Sequence, residues 1–377
     1  MAHAYTPGLK VTEKFLVRKE RRLPLKGEVL SKVGEQVNCD TVVAKTNLPG
    51  NVQILNVAGI LGCPPQDLGE YLLKKPGDTI RKGETVAQSK GFFGFFKSKA
   101  PSPCDGTLES ISNITGQAIL REPPQPVQVD AYIDGSVVEV FEREGVVVET
   151  VATFIQGIFG VGGEIKGELF FVSDKPDEIL TEKEIDEKCR DKVLIGGALV
   201  TAPALKKAIE KGAKGIVVGG IEDGDLKAFL GYELGVAITG SETLGITLII
   251  TEGFGRMRMA DKTFSLLKEH IGERASINGA TQIRAGVMRP EIIIPLDSNP
   301  PHSPFMKGGK EGGLGLVVGS PIRVIREPFF GQLGKVAGLP SELQTIETES
   351  KVRVLEVELS DARRVLLPRA NVEMIEG

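Results

Sequence analysis

Pro321-Ile322-Arg323-Val324-Ile325-Arg326-Glu327-Pro328-Phe329-Phe330-Gly331-Gln332-Leu333-Gly334-Lys335-Val336 is the stretch from which the architecture is read most directly. Its apolar/basic alternation, Ile322 and Val324 inward and Arg323 outward, is that of a half-buried strand. Glu327-Pro328 ends the strand, because proline supplies no ladder N–H. Gly331 and Gly334 then turn the chain into a second strand beginning at Lys335-Val336. Two more strand-like runs, 352–359 and 364–368, followed by Ala370-Asn371-Val372, are expected to complete a small β-barrel over residues 316–377.

Upstream of this barrel, residues 297–315 carry Pro300, Pro301, Pro304 and the run Lys307-Gly308-Gly309-Lys310-Glu311-Gly312-Gly313, the composition of a mobile linker. Before it the period changes. The apolar runs 192–195, 215–218 and 246–250 each precede a helical pattern, at 203–212, 223–232 and 260–270. This β-α-β-α-β-α order predicts an α/β domain over 187–296 with a mainly parallel sheet. A Gly-rich, then acidic and Pro-containing segment, 156–186, reads as a junction. Residues 25–155 read as glycine-cornered β structure, with Gly-Asp and Gly-Glu turns at Gly34-Glu35, Gly77-Asp78 and Gly83-Glu84. Residues 1–24 read as an N-terminal arm.

Composition bounds the function. The chain has 377 residues, 25% of them charged, a net charge of −4, no Trp and 5% aromatic residues. This is ordinary globular composition with no field to gather polyanions. No apolar run approaches the roughly 20 residues of a membrane span, and no basic segment followed by an apolar stretch opens the chain, so a cytoplasmic location is expected. Four cysteines, Cys39, Cys63, Cys104 and Cys189, lack CxxC spacing. Free thiols are expected, with neither a metal site nor a cofactor. Only three histidines occur, His3, His270 and His302, none beside an obvious nucleophile, which weighs against triad chemistry.

Two resemblances follow from the motifs. The 321–336 hairpin resembles the KOW module of NusG-type elongation factors and of certain large-subunit ribosomal proteins, part of an SH3-like barrel. The matching positions are Arg323, Val324, Arg326, Gly331, Gly334, Lys335 and Val336. The pairing of Gly77-Asp78…Lys82-Gly83-Glu84…Ala87 with Ser102-Pro103-Cys104-Asp105-Gly106 looks like the barrel-sandwich hybrid fold of biotinyl and lipoyl domains. No carrier motif accompanies it, since the stretch at the carrier-lysine hairpin holds Phe92, Phe93, Phe95 and Phe96 beside Lys97. These side chains either plug their own barrel or form a partner-docking hairpin.

The fold class expected is therefore a multidomain α+β chain: an N-terminal β barrel-sandwich hybrid, a central α/β domain and a C-terminal SH3-like β-barrel. The KOW resemblance implies a non-catalytic adaptor near the transcription or translation machinery. Its protein- or RNA-binding residues would be Arg323, Arg326, Phe329, Phe330, Gly331, Lys335, Arg363, Arg364 and Arg369, and no specific DNA reading is implied. Acidic residues match the basic ones in number over 321–377, so protein docking fits at least as well as RNA contact. One alternative is a ligand-binding protein or enzyme. Its pocket would use Glu252, Arg256, Asn278, Thr281, Gln282 and Arg284, a set that otherwise reads as a satisfied polar network. The other is a self-assembling structural protein, a homo-oligomer built through the phenylalanine hairpin.

Overall fold

The structure is a computed structural model that describes residues 9–90, 97–231, 244–281, 288–296, 318–324, 326, 328–329, 332–340, 343–345, 351–359 and 363–376. The chain is mostly β with a few helices. Among the described residues no helix is long and apolar enough to cross a membrane.

The central layer is a mixed sheet. In spatial order its strands are Gly145–Gln156, Glu291–Pro295, Arg274–Asn278, Glu164–Phe171, Lys192–Ile195, Gly215–Ile221, Thr247–Phe254 and Phe159–Val161, and the run from Glu164–Phe171 to Thr247–Phe254 is parallel. Strict alternation sends successive side chains to opposite faces. Leu194, Ile216, Val218, Leu248 and Ile250 pack under helices Ala202–Lys211 and Asp223–Leu230. Val193, Ile195, Val217 and Ile249 meet Phe264 and Leu267 of helix Asp261–Glu269 on the other side. Fully burying one such side chain stabilises by about 1.5–3 kcal/mol, so a layer buried on both faces anchors the rest. The first helix is delimited as its sequence demands. Thr201 Oγ1 accepts from Ala204 N at 3.3 Å, and Gly212, at φ +77°, ends it.

Two segments lie elsewhere than the sequence suggested. Residues 156–186, expected as a junction, contribute three strands of this sheet, Phe159–Val161, Glu164–Phe171 and the short Ile179–Leu180, which pairs with Leu199–Val200 beside Gly215–Ile221. Gly160 sits inside one of them because a Cβ there would come within 2.7 Å of Gly279 O, so its glycine serves close backbone approach rather than a hinge. Residues 9–22, expected within an arm, form the strand Leu9–Arg22, which runs antiparallel to Gly145–Gln156 from Val11 opposite Ile155 to Arg22 opposite Gly145. Its charges obscured the alternation. Leu9, Val11 and Val17 are buried, while Arg18 pairs with Glu149 and Arg22 reaches Glu144 at 2.9 Å on the outside.

The strands Val42–Leu48 and Gln125–Asp130 pair antiparallel, with Leu48 opposite Gln125, and residues 50–123 form a module inserted at their open end. That module has its own core of Leu55, Val57, Leu68, Ile80, Val86, Leu108 and Leu120. Gly77 and Gly83 take φ of +98° and +82° in its two turns. The β region expected over 25–155 thus holds two cores, because Val17, Val37, Val43, Tyr132, Val137, Val146 and Val148 make another.

At the C-terminus a curled sheet runs Arg364–Pro368, Lys351–Leu359, Leu333–Gly338, Pro321–Val324 and Val372–Glu376 around Ile322, Val324, Val336, Leu355, Val357 and Leu359. Its last strand also pairs in parallel with the start of the first strand of the chain, Leu9 opposite Ile375. Residues 297–317, which include the expected linker, lie outside the described residues. The sheet that follows is seated on the central layer.

Candidate functional site

In a parallel sheet ligands gather beyond the carboxyl ends of the strands. Here that space is occupied by the chain itself. A Cβ on Gly219 would overlap Met257 O, and one on Gly220 would overlap Gly255 O. A Cβ on Gly197 would lie 2.6 Å from the carbonyl oxygens of Lys175 and Glu178. Hydrogen bonds fix the fit: Ala198 N donates to Glu178 O at 2.6 Å, Gly219 N to Gly197 O at 2.8 Å, Gly255 N to Ile221 O at 2.8 Å, Met257 N to Ala198 O at 3.1 Å and Met259 N to Pro176 O at 3.0 Å. The glycines of these loops admit neighbouring backbone, and the N–H groups of Gly219 and Gly255 are spent on it.

Glu252 and Arg323 meet beside this plug. Both are 2% exposed. Arg323 Nη2 donates to Glu252 Oε2, Arg323 Nη1 to Thr251 O at 3.2 Å, and Ala260 N donates to Glu252 Oε1 at 3.0 Å. Arg323 Nε makes no hydrogen bond among the described residues. This corrects two expectations. Arg323 faces inward into the contact between the C-terminal sheet and the central layer, where it is closed to RNA or protein, and Glu252 is held in an ion pair. The alternation of 321–324 gave the correct spacing, but the face opposite the barrel core is covered by another module.

The remaining residues of the expected pocket have separate duties. Arg256 Nη2 donates to Asp177 O at 3.2 Å. Asn278 Oδ1 accepts from Ala280 N at 2.9 Å. Thr281 Oγ1 accepts from Gly160 N at 2.8 Å and donates to Gly160 O at 3.0 Å. Gln282 and Arg284 lie outside the described residues, as do Phe330 and Gly331 of the barrel set and Phe92, Phe93, Phe95 and Phe96 of the hairpin. Lys97 is exposed.

On the C-terminal sheet, Arg369 is turned to backbone, its Nε to Val354 O at 3.2 Å and its Nη2 to Pro340 O at 3.3 Å. Arg364 pairs with Glu358 at 3.0 Å, and Lys335 stands opposite the same Glu358 in the ladder. Arg326 and Arg363 are exposed, and the Arg363 guanidinium lies 5.6 Å from the Phe329 ring centroid. Of the described residues in the expected nine-residue binding set, Arg323 and Arg369 are thus engaged inside the chain, while Arg326, Lys335, Arg363 and Arg364 are exposed and Phe329 is half-buried.

Two clusters were illegible in the sequence. Thr153 Oγ1 lies 2.8 Å from His270 Nε2, and His270 Nδ1 lies 2.9 Å from Glu273 Oε2. The spacing is that of a nucleophile, base and acid. However, Thr153 is buried within a sheet strand and its hydroxyl donates to Glu13 O at 3.0 Å. With its proton placed there, the hydroxyl accepts from the imidazole, and the row ties the end of helix Asp261–Glu269 to two strands. The second cluster surrounds an open cleft of about 500 Å³ between Arg21, Asp40 and residues 128–130 on one side and the central layer on the other. Arg21 grips Glu164 with both Nη atoms, at 2.7 and 2.8 Å, and donates through Nε to Asp130 O at 2.8 Å. Burial opposes the charge on Arg21, yet Glu164 and Asp130 together hold its pKa above the ordinary value. Lys166 bonds Asp130 and, at 2.6 Å, Cys39 O. Arg274 Nη2 reaches Asp40 Oδ2 at 2.6 Å, a hydrogen bond that lowers the Asp40 pKa. Behind the cleft Tyr132 is fully buried at φ +67°, with Ser276 Oγ donating to its carbonyl. Burial, then the charge of Glu291, raise the Tyr132 pKa well above that of a free phenol.

No family model matches the chain. No curated protein matches it in sequence either. Among the described residues no group of three or more His, Cys, Asp or Glu side chains has an arrangement that could hold a metal ion. The thiols are consistent with structural duty. Burial first and Asp134 second push Cys39 up to about 12, so at pH 8.5 its thiolate fraction is roughly a thousandfold below that of an ordinary thiol. Iodoacetamide at pH 8.5 is therefore expected to spare Cys39 in the folded chain and label it rapidly in urea, as read by peptide mass spectrometry. Equal rates in both states would contradict this environment.

Proposed function

We propose that the chain is a non-catalytic adaptor, working near the transcription or translation machinery, whose KOW-like C-terminal barrel holds a partner through Arg326, Phe329 and Arg363. The reading is supported above all by the strand ends of the central layer, where the site that would hold a substrate in such a sheet is filled by residues 253–259 and 175–178. The favoured partner is a protein. Arg323 and Arg369 are engaged within the chain and Arg364 is paired with Glu358, and acidic residues match the basic ones over 321–377, so the barrel offers no excess of cations to phosphates, each of which contributes only about −0.7 to the salt slope on single strands. A half-buried aromatic ring beneath an exposed guanidinium is instead the make-up of a protein hot spot.

Sedimentation of the purified chain with purified ribosomes, and separately with RNA polymerase, tests this in low salt. Binding to one of the two is expected, with Phe329→Ser and Arg363→Ala each weakening it by about tenfold or more. Equal binding by both variants, or none to either assembly, would refute the assignment.

A further inference from the structure

The module at residues 50–123 ends in an open sheet edge. Its strands run Val52–Asn56, Gln117–Arg121, Gly106–Ile111 and Thr79–Ile80 in space, and among the described residues no strand pairs with the outer side of Val52–Asn56. Glu122 N donates to Asn51 O at 2.9 Å, and Ser112 N donates to Gln117 O at 2.9 Å on the far side of the same strand. Glu122, Leu120 and Ala118 therefore turn their main-chain groups toward Val52–Asn56, and the alternation of an antiparallel ladder directs those of Val52 and Ile54 outward. The side chains agree. Leu55 enters the core of the module, whereas Val52 is 46% and Ile54 63% exposed.

An edge of this kind is ordinarily blunted by a charge, a proline or a bulge. Asn51 to Asn56 holds no charged residue and no proline, and its ladder with Gln117–Arg121 runs without a register shift. The charges bordering it are engaged within the module: Arg121 pairs with Glu109 at 2.9 Å, and Glu122 accepts from Asn51 and Gln53 at 3.2 and 3.1 Å. The opposite edge of the sheet, Thr79–Ile80, is only two residues long.

We propose that Val52–Asn56 pairs with the same strand of a second copy of the chain, antiparallel about a two-fold axis at Ile54. This register sets Ile54 opposite its own mate and Val52 opposite Asn56, and supplies about four main-chain hydrogen bonds to groups that otherwise face water. Ile119 stands beside Ile54 in the ladder, so one apolar row crosses the joint, Ile119 and Ile54 of one copy meeting the same two residues of the other in reverse order. Charge favours a second copy over a charged partner strand. A neutral edge meets a neutral edge, and Arg121, which stands opposite Val52, lies at opposite ends of the joint in the two copies. A strand of five residues buries less than the roughly 1,200 Å² of a stable interface, so the dimer is reversible, with a Kd of about 10–100 µM. Pairing here needs nothing from the C-terminal sheet and stands or falls apart from the adaptor role.

Sedimentation velocity of the full chain from about 1 to 200 µM tests the joint. A monomer–dimer equilibrium is expected. Ile54→Lys should weaken it about tenfold or more, and Val33→Lys, at a 64% exposed position outside the module, should leave it unchanged. Cysteine variants read the register. Ile54→Cys should give a disulfide-linked dimer under mild oxidation, since facing residues of a hydrogen-bonded pair stand about 5.5 Å apart at Cα. Val52→Cys should not, because its two copies lie about 13 Å apart along the joint. Should Ile54→Lys fail to fold, the two cysteine variants decide alone. A chain that stays monomeric at about 200 µM, a dimer that Ile54→Lys leaves intact, or cross-linking through Val52→Cys equal to that through Ile54→Cys would overturn the proposal.

Discussion

Replacing Glu252 by alanine is expected to destabilise the chain by about 3–5 kcal/mol, the largest single-residue effect predicted here. The loss does not equal the strength of the ion pair. Arg323 and Glu252 are each 2% exposed, so removing the carboxylate leaves a guanidinium almost closed to solvent that keeps, among the described residues, Thr251 O as its one partner. The opposite design separates the two contributions. Glu252→Leu with Arg323→Met removes both charges together and is expected to cost far less than Glu252→Ala alone, because two desolvation penalties vanish with the attraction. Urea denaturation of the three proteins decides between these outcomes. Similar losses for the single and double variants would mean that the pair stabilises by attraction, against this account.

Gly219→Ala is the second large effect, with an expected loss of about 3 kcal/mol, the upper part of the usual overpacking range. The added methyl would overlap Met257 O, and both backbones are pinned, Gly219 by the bond of its N–H to Gly197 O and Met257 by its bond to Ala198 O. Gly224→Ala is the matched control, because a Cβ there meets nothing within 4 Å. Thermal or urea unfolding should show a large drop for the first and little for the second. Equal stability of both variants would mean that residues 253–259 do not pack against the strand ends.

The parts of this architecture that were legible in the sequence are those governed by local rules. The runs 192–195 and 215–218 are apolar enough for buried strands, Gly212 stops a helical pattern, and Gly77 and Gly83 need positive φ; each is a statement about a few neighbouring residues. What was hidden depends on distant ones. Nothing near Arg323 announces Glu252, 71 positions earlier, so an arginine on the outer face of a barrel strand read as a ligand contact. The same holds for Thr153 with His270 and for the cleft, where Arg21, Asp130, Glu164 and Arg274 come from separate strands. Residues 9–22 were missed for another reason. A strand whose outward side chains are Lys, Arg and Glu looks like a solvated arm unless its partner, Gly145–Gln156, is known. Glycine-rich loops after parallel strands carried an ambiguity that only packing resolves, since glycine serves a phosphate and a neighbouring backbone equally well.

Native-state hydrogen exchange at Ala198, Gly219, Gly255, Met257 and Met259 tests most directly whether the ends of the parallel strands are closed by the chain itself. If they are, these amides, hydrogen-bonded at 2.6–3.1 Å, should exchange within about tenfold of the neighbouring strand amides of Val217 and Ile249. Exchange at the rate of an unstructured loop would contradict the account and return the central layer to consideration as a substrate site.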